Sequence, residues 1–188
     1  RSVLVQRDMI SGDMRFIGTK KETLYQMSKK SKQLFNAYKS PKVESGIKEI
    51  KVDKQGYSIT LKAEIGANAT ASSEKFVNVA YSIPLKRVIG KTVTLQYDDY
   101  KSNVPNESAV VGVVYIQNGK YCYKTLISTE KQKAITLSIP KEATNVKVRL
   151  FVTEITAGSV LAGKYEATFK GVMLSVGKTR KKWEPYKE

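Results

Sequence analysis

Short segments in which apolar and polar residues alternate recur along this chain, and turn residues separate them. In the segment 57–63, Tyr57, Ile59 and Leu61 fall on one side of an extended chain. Because successive side chains of a strand point to opposite faces, this pattern predicts a half-buried β-strand. The same alternation recurs in three further segments, 91–97, 134–139 and 146–152. Since no long helical pattern lies between them, these short and evenly spaced segments predict an all-β sandwich or barrel.

A hairpin is predicted in the middle of the chain. The segment 109–116 is apolar almost throughout, which is typical of a strand covered on both faces. Asn118-Gly119 follows it and favours the two positive φ angles of a type I′ turn, so 121–126 is the predicted return strand. The last strand is predicted over 165–176, with Gly171 as a candidate bulge. The acid-rich segment 98–107 is predicted to be a long loop.

The first 33 residues differ from the rest of the chain. Two short strand-like segments surround a Ser-Gly-Asp turn at 11–13, and a Thr-x-x-Glu capping box at 19–22 precedes a thin helical stripe. We therefore predict two parts, an N-terminal connector or assembly segment at 1–33 and a β-sandwich domain at 34–188. Because the chain starts with Arg1 instead of Met, we expect it to be a fragment or a processed product.

The residue types present argue against catalysis. The chain contains no His and a single cysteine, Cys122. It therefore lacks the commonest general base, the Ser-His and Cys-His pairs and imidazole metal ligands, and we expect it not to be an enzyme. No metal site or cofactor is predicted, although Asp98 and Asp99 are weak candidates for a structural Ca²⁺ site. The sequence contains no apolar run long enough to span a bilayer, so no membrane partner is expected.

Positive charge dominates the chain, with 33 Lys and Arg against 17 Asp and Glu and a formal net charge of +16. Such an excess favours polyanionic partners, although solvated lysines explain it equally well. The cations near the C-terminus are the candidate contact with a polyanion: Lys178, Arg180, Lys181 and Lys182. A teichoic-acid-like polymer or an acidic neighbouring subunit would use these charges. Nucleic acid is disfavoured because no recognisable nucleic-acid module accompanies them.

Aromatic residues are the candidate ligand contacts. Eleven Tyr and one Trp are available, and sugar rings stack their apolar faces on aromatic side chains. Tyr121 and Tyr123 share one face of a strand because they lie two residues apart. Arg149 faces outward in the alternation of its own strand and can donate paired hydrogen bonds to a carboxylate or phosphate. Core packing of the tyrosines and a cross-strand ion pair for Arg149 are the alternatives. The predicted ligand-binding set is Tyr97, Tyr100, Tyr115, Tyr121, Tyr123 and Arg149.

Residues 32–188 resemble a known family in the order of several motifs. Lys-Gln-Leu-Phe-Asn at 32–36 and Gly-Lys-Thr-Val-Thr at 90–94 come first, followed by the Asn-Gly turn at 118–119. Val-Lys-Val-Arg at 146–149 precedes a last strand that ends in Gly-Lys-Thr at 177–179 and Trp-Glu-Pro-Tyr at 183–186. This order is similar to that of carbohydrate-binding-like jelly-roll modules of tail and baseplate proteins from phages of Gram-positive bacteria. Trp183 replaces a Tyr of the family pattern, and Ser175-Val176 replaces its Leu-Glu pair.

The resemblance implies a jelly-roll β-sandwich in a phage virion component. Its implied function is non-catalytic attachment to a host cell-surface glycan, extracellularly, in a homo-oligomer with other tail or baseplate subunits. Two alternatives stay open. The chain could be a structural tail spacer without a ligand, or an ancillary sugar-binding domain of a bacterial secreted enzyme or adhesin.

Overall fold

The computed structural model describes residues 31–44, 46–66, 76–104, 108–128, 130–154 and 162–187. Residues 32 to 186 belong to one compact unit. The strand-like segments, capping box and helical stripe predicted before residue 31 lie outside the described residues. Among the residues described, no helix has the length and apolar character needed to cross a membrane.

The described chain is built from β-strands and one short 3-10 helix, Leu85–Arg87. In chain order, the strands are β1 (Lys42–Val43), β2 (Ile47–Val52), β3 (Ser58–Ile65), β4 (Phe76–Ser82), β5 (Thr92–Gln96), β6 (Asp99–Ser102), β7 (Ala109–Gln117), β8 (Lys120–Ile127), β9 (Ala134–Ser138), β10 (Thr144–Glu154), β11 (Gly163–Lys170) and β12 (Met173–Val176). Within the described residues, the segments predicted as strands coincide with β3, β5, β7, β8, β9 and β10, and the predicted last strand, 165–176, covers both β11 and β12. The predicted loop 98–107 instead contains β6, which pairs with β11 through the backbone.

The strands form antiparallel sheets in the orders β1-β4-β10-β7-β8, β2-β3-β11-β6 and β12-β5-β9. Two segments of the chain run directly from one of the smaller sheets into the other: one forms β5 and then β6, and the other forms β11 and then β12. Only Tyr97 and Asp98 separate β5 from β6, and only Gly171 and Val172 separate β11 from β12. Because β12 pairs with β5 and β11 pairs with β6, the two sheets are halves of one bent layer.

The strand order is that of a jelly roll. From β3 to β6 the chain passes from the bent layer to the five-stranded sheet at β4 and back again. It then forms the β7–β8 hairpin in the five-stranded sheet, crosses to β9, returns to β10 and ends in β11 and β12 of the bent layer. Eight strand positions in two four-stranded Greek keys define this topology. The prediction of an all-β, jelly-roll β-sandwich is therefore confirmed.

Alternate residues of both layers form the core. Val79 and Tyr81 on β4 pair with Leu150 and Val148 on β10, and all four side chains are buried. The bent layer contributes its own inward-facing side chains, with Ile59, Leu61, Leu95, Ala167 and Phe169 fully buried. This burial of apolar side chains is the main stabilising contribution to such a fold.

Two backbone features were predicted from glycine residues, a type I′ turn at Asn118-Gly119 and a bulge at Gly171. Asn118 and Gly119 have φ angles of 50° and 74°, as a type I′ turn requires, and Gln117 pairs with Lys120 across it. Gly171 has a φ of 65° at the break between β11 and β12. The hairpin turn is therefore confirmed, whereas the predicted bulge at Gly171 is a break that divides the predicted last strand into β11 and β12.

A buried tyrosine makes the core sensitive to alkaline pH. Tyr81 is 1% exposed, and no described group bonds its buried hydroxyl. Burial raises its pKa from the usual 10.0 to about 12. Between these two pKa values the unfolded chain loses this proton and the folded protein keeps it, so the free energy of unfolding falls as pH rises. Below pH 10 the contribution is fully present.

We expect Tyr81→Phe to stabilise the protein by about 1 kcal/mol at pH 8, because it removes a buried hydroxyl without a partner. The difference from wild type should widen by about 1 kcal/mol at pH 11, since the phenylalanine variant has no such proton to lose. Urea unfolding of both proteins at each pH measures this difference. A difference that stays constant with pH would mean that Tyr81 does not cause the alkaline destabilisation.

Candidate ligand groove on the five-stranded sheet

A groove of about 290 Å³ lies on the outer face of the five-stranded sheet, across β7, β8 and β10. Its lining includes the phenol rings of Tyr121 and Tyr123, the Arg149 side chain and the apolar side chains of Val114 and Phe151. Val114 and Phe151 are each 3% exposed and form an apolar floor. The groove therefore combines an apolar base with aromatic and cationic groups at its surface.

Strand register explains why these residues meet. On β8, Tyr121, Tyr123 and Thr125 share the outer face because they lie two residues apart. Tyr123 pairs with Val114 on β7, and Thr125 pairs with Gly112. Gly112 in turn pairs with Arg149 on β10. A straight row across three strands therefore leads from Thr125 through Gly112 to Arg149.

Gly112 keeps the middle of this row open. A Cβ atom at this position would lie 3.2 Å from Cε2 of Phe151 and 3.1 Å from Oγ1 of Thr125. These distances are shorter than ordinary van der Waals contact, so a larger residue would fill the groove and displace its neighbours. Glycine therefore leaves space between the edge strand β8 and the guanidinium on β10.

The two tyrosines of the hairpin are strongly exposed. Tyr121 is 66% exposed and Tyr123 is 71% exposed, whereas the apolar floor beside them is buried. Among the described strands, β8 lies at the edge of its sheet, next to β7. The core packing that was the alternative for these two rings is therefore not observed. Both rings can therefore stack against a flat apolar face of a ligand.

Arg149 has an unsatisfied hydrogen-bond donor. Its Nε–H is buried, and none of the described residues accepts a hydrogen bond from it. No ion pair of Arg149 occurs in the part of the chain that the structure describes, so the cross-strand ion pair expected as the alternative is absent there. The described lining of the groove also contains no Asp or Glu. The guanidinium charge is therefore not neutralised within the groove.

The other three tyrosines of the predicted ligand set do not line the groove. Tyr97 is 3% exposed and Tyr115 is 8% exposed, and both belong to the core. Tyr100 is half-buried, with its ring 5.3 Å from that of Phe169 and its hydroxyl 3.2 Å from Ser108 Oγ. Burial raises the pKa of the Tyr97 phenol, and burial together with a hydrogen bond to Cys122 raises that of Tyr115. These three rings therefore lie in the core or against it and outside the groove, which brings together Tyr121, Tyr123 and Arg149 of the predicted set. Ligand binding by these residues stays a prediction.

Two of the four C-terminal cations are engaged within the protein. Nη2 of Arg180 lies 2.6 Å from Oδ1 of Asp98 and also donates to the Tyr97 carbonyl. The Lys181 ammonium donates to the Val176 carbonyl. Lys178 and Lys182 are exposed. No ion pair or side-chain hydrogen bond joins these two lysines to another described residue, so they stay the candidates for contact with a polyanion.

The C-terminal segment lies on the outer face of the β12-β5-β9 sheet. The side-chain amide of Gln96 donates to the Lys181 carbonyl (2.7 Å) and accepts from its backbone N–H (2.8 Å). The Thr94 hydroxyl donates to the Gly177 carbonyl at 2.7 Å. Trp183 packs edge-on against Tyr57, with ring centroids 4.9 Å apart. The segment therefore covers polar side chains of a sheet face.

Asp98, one of the two weak Ca²⁺ candidates, has partners within the protein. Oδ1 of Asp98 binds Arg180, and its Oδ2 accepts a hydrogen bond from the Tyr57 hydroxyl at 3.2 Å. Burial, followed by the Asp98 charge, raises the pKa of that phenol. Within the described ranges, no group of three or more acidic or cysteine side chains is placed to hold a metal ion. Asp98 thus already pairs with Arg180 in this structure, and the weak Ca²⁺ candidate stays a prediction.

Three residues that shape the groove between Tyr121, Tyr123 and Arg149 were not predicted as site residues from the sequence. Gly112, Thr125 and Phe151 carry no motif, and the positions of Gly112 and Thr125 beside Arg149 follow from strand register alone. A signal was present in the alternation of β10, since Phe151 follows Arg149 by two residues and shares its face.

Comparison with protein-family models gives no match, and comparison with curated protein sequences gives none that is significant. Solved structures give weak similarities. A CBM4 module has 19% identity and a TM-score of 0.40, covering 76% of this chain and 84% of its own. A chain from the structure of accessory secretory proteins 1, 2 and 3 of Streptococcus pneumoniae has 13% identity and a TM-score of 0.43, covering 81% and 99%. A low-affinity xylan-binding module, CBM86, from Roseburia intestinalis has 16% identity and a TM-score of 0.38, covering 72% and 92%. These values assign no family, and the jelly-roll fold rests on the strand order.

Proposed function

We propose that this protein is a non-catalytic attachment module that binds a host cell-surface glycan through the groove on its five-stranded sheet. The observation that carries the proposal is the pair of exposed rings, Tyr121 and Tyr123, beside Arg149 over an apolar floor. Pyranose rings have apolar faces that stack on aromatic side chains, while planar polar groups bind their hydroxyls. The groove offers both kinds of contact within one concave surface.

A binding role without catalysis is consistent with the residues present. The chain contains no His, and the described lining of the groove has no Asp, Glu or Cys. Hydrolysis of a glycosidic bond ordinarily needs two carboxyl groups flanking that bond. The proposal therefore assigns the groove to reversible recognition.

The proposal places the protein in a phage tail or baseplate, with the cell-wall glycan or a teichoic-acid-like polymer outside the host as its partner. This part is supported by the motif resemblance over residues 32–188 and by the net charge of +16. A homo-oligomer joined to other tail subunits would present several weak grooves together and increase the overall affinity.

We expect Tyr121→Ala and Tyr123→Ala each to weaken binding to intact Gram-positive cells by about 3- to 10-fold, because each removes one stacking surface. Both rings are more than half exposed, so the variants should unfold at the wild-type temperature within a few degrees. Binding of fluorescently labelled protein to cells, before and after chemical removal of wall teichoic acids and polysaccharides, measures the effect.

Tyr38→Ala is the matched control, since Tyr38 is 56% exposed and does not line the groove. Loss of binding on stripping, together with loss in the groove variants but not in the control, supports the proposal. Wild-type binding by both groove variants would exclude the groove as the attachment site. A folded oligomer that binds no strain would favour the structural-spacer alternative. A catalytic domain encoded in the same parent gene would favour the ancillary-domain alternative.

A further inference from the structure

The hydrogen-bond donors of Arg149 set a condition on the ligand. A buried N–H without an acceptor costs free energy, so such groups are rare in folded proteins and often belong to a binding site. The Nε–H of Arg149 is such a group, and the residue lines the groove. An acceptor supplied by the ligand would satisfy it.

Small neighbours leave space beside this side chain. Arg149 pairs with Gly112 on one side and with Ala80 of β4 on the other. Neither residue has a side chain long enough to cover a guanidinium or to bond it. Binding therefore requires a rotamer change of Arg149, of the kind that commonly accompanies binding, to present Nε–H and Nη–H together to the groove.

The surrounding charge favours an anion as the source of that acceptor. Lys147 shares the outer face of β10 with Arg149 and pairs with Val114 of the groove floor. Neither cation has an ion pair with a carboxylate in the described chain. The edge formed by Nε–H and Nη–H of a guanidinium matches two oxygens of a carboxylate, phosphate or sulphate in a bidentate contact.

We infer that the groove selects glycans that carry an anionic substituent, and that this substituent binds Arg149 while an adjacent sugar ring stacks on Tyr121 or Tyr123. This inference rests on the proposed glycan-binding function and narrows its ligand to acidic sugars or sugar phosphates and sulphates. Arg149 thereby determines specificity, and the tyrosines bind the sugar ring itself.

Polymers with one backbone and different charges test the inference. Dextran, carboxymethyl dextran and dextran sulphate of equal length are immobilised, and binding of the intact protein is measured at physiological salt. We expect the two anionic polymers to bind at least 10-fold more tightly than dextran. Arg149→Gln should lose at least 10-fold on the anionic polymers, and Arg149→Lys at least 3-fold, because lysine keeps the charge but not the bidentate edge.

Lys54→Gln is the matched control for net charge, since Lys54 is an exposed cation that neither lines the groove nor belongs to the predicted polyanion contact. It should change binding by less than 2-fold. Thermal unfolding of each variant shows whether that variant is folded. The comparison of the three polymers with the wild-type protein tests anion selection even if a variant fails to fold.

Three outcomes would overturn the inference. Anionic polymers that bind Arg149→Gln as tightly as wild type would mean that net charge alone attracts them. Equal binding of dextran and its two anionic forms would mean that the groove does not select anions. If Tyr121→Ala weakened binding to all three polymers, the proposed glycan-binding function would still be supported. Polyglutamate that competes as well as carboxymethyl dextran, and depends equally on Arg149, would make the ligand an acidic polypeptide.

Discussion

Gly171→Ala is expected to destabilise the protein by about 3 kcal/mol, well above the cost of the same substitution at Gly119. Gly171 has a φ of 65°, where an L-residue costs about 1–2 kcal/mol. Its added Cβ would also lie 2.2 Å from Oδ2 of Asp98, so the aspartate must move. That movement breaks the contacts of Asp98 with Arg180 and Tyr57, which adds about 1–2 kcal/mol.

Gly119→Ala is the matched control for the backbone contribution. Gly119 has a φ of 74°, and nothing lies within 4 Å of the position of its Cβ. We expect this variant to cost about 1 kcal/mol. Urea unfolding of both variants separates backbone strain from the clash. In an Asp98→Ala background, Gly171→Ala should cost less, because the colliding carboxylate is gone and only the Cβ of residue 98, at 2.8 Å, is left to shift. Equal destabilisation by the two alanine substitutions would show that the contact with Asp98 contributes nothing.

Gln33→Leu is expected to cost about 3 kcal/mol or more, although leucine matches glutamine closely in volume. Gln33 is 2% exposed, and its amide donates to the Val172 carbonyl at 3.0 Å. Its Oε1 accepts from the backbone N–H groups of Phe35 (3.1 Å) and Leu174 (3.0 Å). Leucine leaves three buried backbone groups without this partner, and each costs about 1–3 kcal/mol, less than additively.

Gln96→Leu provides the comparison. Gln96 is fully buried and also makes two hydrogen bonds through its amide, to the backbone of Lys181. Lys181 is only partly buried, so water can satisfy the groups that lose their partner, and we expect a cost of about 1–2 kcal/mol. Chemical denaturation of both variants measures the difference. A smaller loss for Gln33→Leu than for Gln96→Leu would contradict the role assigned to burial.

Much of the fold could be predicted from local patterns. Alternation identified β3, β5, β9 and β10, and the Asn-Gly pair identified the β7–β8 hairpin, because both signals act over a few residues. The strand β6 escaped prediction since Asp99 and Lys101 resemble a loop, and backbone pairing with β11 is what orders them. The prediction also assigned Gln33 to the N-terminal connector, whereas its buried amide belongs to the sandwich.

The sequence by itself determined which residues could share a face. Tyr121 with Tyr123, and Arg149 with Phe151, are pairs that a two-residue period places together in any extended strand. Only the tertiary structure decided which faces look inward, because that depends on the layer that packs against each strand. It placed Tyr97 and Tyr115 in the core, and through the register of β7 it brought Tyr123 and Arg149 to one groove. The Asn-Gly turn sets the register of β8 on β7, but the register of β10 on β7 comes from pairing between segments far apart in the chain, and no local turn encodes it.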